Sequence, residues 1–198
     1  KSMKLRLILL GDQHHDTALS YNNLGSAWIN KGEYDKAIDY YEKALEIRLI
    51  LHGDQHPDTG ISYNCLGNVW KNKGEFDKAI DYYEKSLTIN LKVHGERHPD
   101  TALSYNNLGE VWKDKRECDK AIEYYEKSLA IRLKVHGDQH PDTGISYNSI
   151  GNIYRDKNDF LKAKEYYQKA YAIFFSKLGE EHQDTKFMAK KLKDLNDQ

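Results

Sequence analysis

Apolar and polar residues alternate along this chain with the 3.6-residue period of amphipathic helices. In residues 98–115, HPDTALSYNNLGEVWKDK, the side chains of Leu103, Leu108, Val111 and Trp112 fall on one side of such a helix. We therefore predict that this side faces the core. Residues 118–135, CDKAIEYYEKSLAIRLKV, show a second helical pattern. The two stretches predict a pair of antiparallel helices joined by a short turn.

The ends of both helices carry local signals. Pro99 suits the first turn of a helix, where its missing N–H is no loss, and Asp100 suits the positive end of the helix dipole. The first helix is therefore predicted to start around His98 and to stop near Lys115. Arg116 follows, at a position that needs a left-handed backbone, and we predict a cost of about 1 kcal/mol there. The same position in other copies of the pattern holds Gly32, Gly74 and Asn158.

The pattern recurs every 42 residues, starting at successive glycines. Four complete copies are predicted, over residues 11–52, 53–94, 95–136 and 137–178. Residues 1–10 match the end of a preceding second helix, and residues 179–198 match a C-terminal capping helix. One helix pair is too small to bury its apolar face, but stacked copies bury it against one another. Residues 1–198 are therefore predicted to form a single all-α solenoid of antiparallel helix pairs.

Several residues of the repeat carry a family resemblance. Leu108, Gly109 and Trp112, followed by Ala121 and Tyr125, stand at the spacing of the tetratricopeptide repeat. The extra length of the unit and its loop GDQHPD resemble the 42-residue repeats of kinesin light chains and nephrocystin-3-like proteins. This resemblance implies a right-handed superhelical solenoid that is not an enzyme and acts as a protein–protein interaction scaffold. It also implies that the recurring Gly meets the recurring small Ala of the second helix.

The resemblance further implies that the first helix of each repeat lines a concave groove that binds an extended peptide of a partner protein. Asparagine side chains both donate and accept hydrogen bonds, so a row of them suits a peptide backbone. The basic residues would help to bind acidic peptides, although Glu110, Asp114 and Asp156 partly cancel their charge. The predicted groove residues are Asn22, Asn23, Asn64, Asn68, Lys71, Asn106, Asn107, Lys113, Asn148, Asn152 and Arg155.

The chain ends support an alternative function, that of a self-associating structural module. The apolar segment at residues 5–10 has no first helix to pair with and invites a homo-oligomer through the terminal helices. The residues predicted to mediate self-association are Leu5, Leu7, Ile8, Leu9 and Leu10. In the C-terminal helix, the pattern predicts Phe187, Met188, Leu192 and Leu195 inside and Lys186, Lys190, Lys191 and Lys193 outside.

The nine histidines all lie in or beside the loops between repeats. Pairs such as His52 and His56 are four residues apart, a spacing that can hold zinc on a helix, but Gly53 interrupts the helix between them. Donors from successive loops are expected to be separated by the 8–10 Å of packed helices or more. We therefore predict helix capping and loop packing for these histidines, with no metal site and no catalytic site.

Composition narrows the function classes further. Lys and Arg total 30 against 31 Asp and Glu, which argues against a nucleic-acid-binding surface. No apolar stretch reaches the length of a membrane span, which is about 18–20 residues. The two cysteines fit a reducing compartment, so we expect a cytoplasmic protein without a cofactor, and Cys118 is predicted to be a small buried hydrophobe.

Overall fold

A computed structural model describes residues 13–196 of the chain. In this range the backbone forms nine α-helices and contains no β-strand. The all-α fold class is therefore confirmed. The helices are α1 His15–Asn30, α2 Tyr34–His52, α3 Pro57–Asn72, α4 Phe76–His94, α5 Pro99–Asp114, α6 Cys118–His136, α7 Pro141–Asp156, α8 Phe160–Leu178 and α9 Gln183–Asn196.

The helices divide into two compact units, the first ending at Gly95 and the second beginning at Glu96. In the first unit α1 packs on α2 and α3 on α4, and α2 also packs on α3. In the second unit α5 packs on α6, α7 on α8, α6 on α7, and α9 on α8. The short turns between paired helices make each pair antiparallel, as predicted. Helices α2, α4, α6 and α8 each end at the last residue of one of the four predicted repeats.

Histidine caps the first helix of every repeat. The His56 side chain accepts a hydrogen bond at Nδ1 from the backbone N–H of Asp58, at 3.2 Å, and His140 accepts one from Asp142 at the same distance. His14, His98 and His182 make the same contact. Such bonds satisfy one of the backbone donors that a helix N-terminus leaves without a partner. The predicted capping role of these histidines is therefore confirmed.

The first helices end in a left-handed residue. Arg116 has φ 63° at the position where the first repeat has Gly32 with φ 74°. Backbone hydrogen bonds close this turn, from Arg116 N–H to the Lys113 carbonyl and from Glu117 N–H to the Trp112 carbonyl. The left-handed conformation predicted for Arg116 is therefore confirmed, and a side chain with a Cβ is strained there.

A buried tyrosine fills the centre of each helix pair. Tyr83 and Tyr125 are each 1% exposed. A Cβ added to Gly67 would lie 2.7 Å from the Tyr83 ring, and one added to Gly109 would lie 2.8 Å from the Tyr125 ring. The ring of the recurring tyrosine therefore lies against the recurring Gly, and contact between the recurring Gly and the recurring Ala remains a prediction. The recurring Ala, such as Ala121, is fully buried in the core.

Two predictions about buried apolar residues are wrong. Leu103 is 47% exposed and Phe187 is 52% exposed. Both residues lie on the exposed face of a first helix and not on its core face. The buried apolar stripe is therefore narrower than the sequence pattern indicates. Met188 is buried as predicted, and Leu192 and Leu195 pack against the last part of the core.

Residues 1–10, including Leu5, Leu7, Ile8, Leu9 and Leu10, lie outside the described residues. Their assignment to a preceding second helix, and to self-association, remains a prediction.

Candidate peptide-binding surface

The predicted groove residues lie on one face of the first helices. In α1 the positions are Leu19, Asn22, Asn23 and Ser26, which are spaced three and four residues apart and therefore share a face. Equivalent positions recur in α3, α5, α7 and α9. We call this face of each first helix the A face.

One exposed apolar side chain occupies the same register on every A face. These residues are Leu19 and Ile61 in the first unit and Leu103, Ile145 and Phe187 in the second. Each is 40–52% exposed. Single exposed apolar residues are ordinary on protein surfaces. Here one recurs at the same register of five helices, which random placement does not explain. Sequence analysis missed the row because it assigned Leu103 and Phe187 to the core; a search for apolar residues at one register of the repeat would have found it.

Asparagine follows the apolar residue by three positions in four of these helices. Asn64 and Asn106, at this position, are partly buried. The following position holds the exposed Asn23 in the first repeat and the half-buried Cys65 in the second. Asn107 is also partly buried. The side-chain oxygens of Asn22 and Asn106 are buried and have no hydrogen-bond partner among the described residues.

The A-face residue four positions further along the helix accepts a hydrogen bond from the core tyrosine in the second and fourth repeats. Tyr83 donates its hydroxyl to Asn68 Oδ1 at 2.6 Å, and Tyr167 donates to Asn152 Oδ1 at 2.8 Å. Burial is the main cause that raises the pKa of the Tyr167 hydroxyl above its usual value. Because of these bonds, the two asparagines present their remaining polar atoms in a fixed orientation.

The third repeat departs from this arrangement. Glu110 stands at the asparagine position and accepts hydrogen bonds from the Tyr125 hydroxyl, at 2.6 Å, and from the Lys113 ammonium. Burial, followed by the Glu110 carboxylate, raises the pKa of Tyr125. The positive charge of Lys113 is therefore offset by Glu110 of the same helix, and Lys113 is a weak candidate for selecting acidic peptides.

The other predicted cations differ in their surroundings. Arg155 donates from Nη2 to Asp156 Oδ1 at 2.8 Å, which cancels much of its charge. This ion pair also raises the pKa of Arg155. Lys71 lies half-buried at the end of α3. The charge cancellation expected from Glu110 and Asp156 thus has a direct geometric basis.

Lys191 of α9 occupies the A face of α7. Its Nζ donates to Asn148 Oδ1 at 2.7 Å and to Asn152 Oδ1 at 2.6 Å. The ammonium also lies 5.0 Å from the centre of the Tyr167 ring. Burial, and then the nearby Arg155 guanidinium, lower the pKa of Lys191 to about 8. The prediction that Lys191 points outward is therefore wrong.

One arginine, buried in the first unit and partly buried in the second, supports the junction between repeats within each unit. Arg48 is 4% exposed and donates from Nη1 to the Ser62 hydroxyl at 2.7 Å and to the Asp58 carbonyl at 3.1 Å. Arg132 makes the same two contacts to Ser146 and Asp142 in the second unit. Sequence analysis gave these arginines no role, because nothing along the chain links them to residues 10 and 14 positions away.

The loop histidines come closer to one another than predicted. His15, His52 and Asp58 each place one ligand atom within 4.8 Å of the other two. His15 belongs to the start of α1 and Asp58 to the start of α3, so these donors come from successive inter-repeat junctions. The expectation that such donors are separated by 8–10 Å or more is wrong for this junction.

The two cysteines are free thiols and partly buried. Burial raises the pKa of the Cys65 thiol, which reduces the fraction present as the reactive thiolate. Cys118 is half-buried and packs against the core of the second unit, close to its predicted role.

Helix pairs repeated at 42 residues, each with a buried tyrosine against a glycine, define a helical-repeat protein. Two family models described as tetratricopeptide repeat match residues 61–117 and 112–174, and residues 17–58. The chain belongs to the tetratricopeptide repeat family. This family generally mediates protein–protein interactions and is typically a non-enzymatic scaffold.

Solved structures share the fold. The crystal structure of BtubC (BKLC) from P. vanneervenii is 28% identical, with a TM-score of 0.78 over 88% of this chain and 70% of that one. A putative kinesin light chain from Podosopora anserina, with nearly identical TPR-like repeats, is 21% identical. Its TM-score is 0.79 over 93% of this chain and 87% of that one. No curated protein sequence matches this chain.

No helix within residues 13–196 is both long enough and apolar enough to cross a membrane.

Proposed function

We propose that this chain is a non-enzymatic scaffold whose A faces bind an extended segment of a partner protein. One observation carries the proposal: every A face combines an exposed apolar residue with polar side chains one turn further along the helix. Ile61 precedes Asn64 by three residues in α3, and Ile145 precedes Asn148 by three residues in α7. An extended peptide can place alternate side chains against such apolar residues while its backbone hydrogen-bonds to the asparagines.

The charges of the A faces argue for a peptide without a strong acidic character. Lys113 and Arg155 are paired with Glu110 and Asp156, so these two cations offer little net positive charge to an acidic ligand. The apolar row instead favours a segment with regularly spaced aliphatic or aromatic residues. The near-equal numbers of acidic and basic residues support a protein partner over a nucleic acid, and we expect the encounter to take place in the cytoplasm.

A peptide-display selection on the intact chain tests this function. Selected peptides should lose binding to a double variant, Ile61→Ser with Ile145→Ser, because the apolar contacts are removed. The double variant Val93→Ser with Val135→Ser is the matched control. Val93 and Val135 are 44% and 38% exposed but lie on second helices, so their replacement should leave binding unchanged.

The asparagines are tested separately, with the triple variant Asn64→Ala, Asn106→Ala and Asn148→Ala. Weaker binding of the same peptides is expected. Equal binding by wild type and triple variant would remove the asparagines from the proposal. Equal loss of binding in both serine double variants would show that the loss is not specific to the A faces and would contradict the proposal.

A further inference from the structure

Three metal-ligating side chains of the first unit meet beside the loop that joins α2 to α3. His15 is the first residue of α1, His52 is the last residue of α2, and Asp58 is the second residue of α3. Oδ2 of Asp58 lies 3.7 Å from Nδ1 of His15 and 3.7 Å from Nε2 of His52. Two imidazole nitrogens and a carboxylate oxygen are donors that zinc uses in proteins.

Two of the three donor separations are close to what a zinc ion requires, and the third, between His15 and His52, is within 4.8 Å. A tetrahedral ion about 2.1 Å from each donor holds neighbouring donors about 3.4 Å apart. The two 3.7 Å separations therefore need to shorten by only a few tenths of an ångström. The His15 and His52 side chains are 51% and 28% exposed, so their rings have room to make this adjustment.

The surroundings hold the donors in place and leave one coordination position open. The His52 ring stacks on the His56 ring, with centroids 4.3 Å apart and planes 20° from parallel. His56 Nδ1 is already used as an acceptor for the Asp58 N–H, so His56 supports the site and is not assigned as a ligand. His52 also lies at the C-terminal end of α2, where the helix dipole favours a cation.

We propose that His15, His52 and Asp58 form a binding site for Zn²⁺ or a chemically similar divalent transition-metal ion. Three protein donors leave a fourth tetrahedral position for water or for a group from another molecule. The proposal is independent of peptide binding on the A faces, because none of its three residues belongs to the apolar row or to the predicted groove residues.

The second unit contains a natural control for this site. His136 Nε2 lies 3.9 Å from Asp142 Oδ2, and the His136 ring stacks on His140 with centroids 4.4 Å apart. This junction therefore repeats the His52, His56 and Asp58 arrangement. The position equivalent to His15 is Pro99, which has no metal-ligating atom. The two junctions thus differ in the third donor, which His15 supplies in the first unit and Pro99 cannot supply in the second.

The test is a calorimetric titration of the full chain with Zn²⁺, comparing wild type with His15→Pro. Proline stands at this position in the other repeats, and His14 already has the extended backbone, φ −124° and ψ 146°, that a following proline requires. The variant should therefore fold. Loss of an outer-shell partner alone costs about 10–100-fold in metal affinity, so loss of a ligand should weaken binding by at least about tenfold. His136→Ala should leave the tightest site unchanged.

A gain-of-site variant and a spectroscopic probe complete the test. Pro99→His should add a second site of similar affinity, because it supplies the missing donor beside His136 and Asp142. Titration with Co²⁺ should give the visible absorption of a tetrahedral ion in wild type and a weaker band in His15→Pro. Equal Zn²⁺ affinity in wild type and His15→Pro, or the absence of Zn²⁺ binding by wild type, would overturn the proposal.

Discussion

Lys191 donates a hydrogen bond from its ammonium to the side-chain oxygen of Asn148, at 2.7 Å, and so links α9 to the A face of α7. The residue comes from a helix that packs on α8 and reaches the same asparagine that we propose for peptide binding. The A face of α7 is therefore already occupied by a cation from the chain itself. A peptide that binds there must compete with Lys191.

The first prediction concerns the pH dependence of stability that Lys191 produces. Its pKa is about 8 in the folded protein, against about 10.4 in an unfolded chain. Between these values the unfolded state binds the proton more tightly, so the stabilisation is present above about pH 10.4 and is lost as pH falls through 8. Because solvent reaches this half-buried side chain, we expect an effect of only about 1 kcal/mol.

Urea unfolding of wild type and Lys191→Met at pH 7 and pH 10 measures this effect. The stability of wild type relative to the variant should rise between the two pH values. Lys190→Met, one residue earlier on the same helix and exposed, is the control and should change by the same amount at both pH values. A constant difference between wild type and Lys191→Met would contradict the assigned pKa.

The second prediction concerns the histidine caps. His140→Ala removes the acceptor for the Asp142 N–H and should lower the free energy of unfolding by about 1 kcal/mol. His140→Asn keeps a short side chain that can accept the same bond and should recover most of the loss. Chemical denaturation of both variants measures the difference. Equal stability of the two variants would show that the cap contributes little.

The third prediction compares two glycines of α3. Gly67→Ala places a Cβ 2.7 Å from the Tyr83 ring and should destabilise the protein by about 1–3 kcal/mol through overpacking. Gly60→Ala meets Ile89 at an ordinary 3.4 Å and should stabilise it by up to about 1 kcal/mol, since Ala favours the helix. Ala18 and Ala102 already occupy the position of Gly60 in other repeats. Thermal unfolding should therefore shift in opposite directions for the two variants.

The fourth prediction concerns the strained turn at Arg116. Its φ of 63° carries a steric cost that glycine avoids, so Arg116→Gly should stabilise the protein by about 1 kcal/mol. The reciprocal change, Gly74→Ala at φ 83°, should destabilise it by a similar amount. Urea midpoints of the two variants are the measurement. A lower midpoint for Arg116→Gly would mean that the Arg116 side chain makes a stabilising contact that outweighs the strain.

Much of the local structure follows from the sequence. The ends of α5 were predicted from Pro99 and from the position of Arg116, and both were confirmed. Helix ends are predictable because they depend on the φ range and hydrogen-bonding groups of one or two residues. The A face was only partly predictable. The asparagine positions came from the family resemblance, whereas the exposure of Leu103 did not follow from its periodicity.

The sequence alone determined the helix pairs, the 42-residue repeat and the family, because each depends on residue types at fixed spacings within one chain segment. Tertiary structure decided which residues of different helices meet. It joined Lys191 to Asn148 and brought His15 near His52 and Asp58. These contacts depend on the packing of neighbouring helices and on side-chain rotamers, and no spacing along a single helix contains that information.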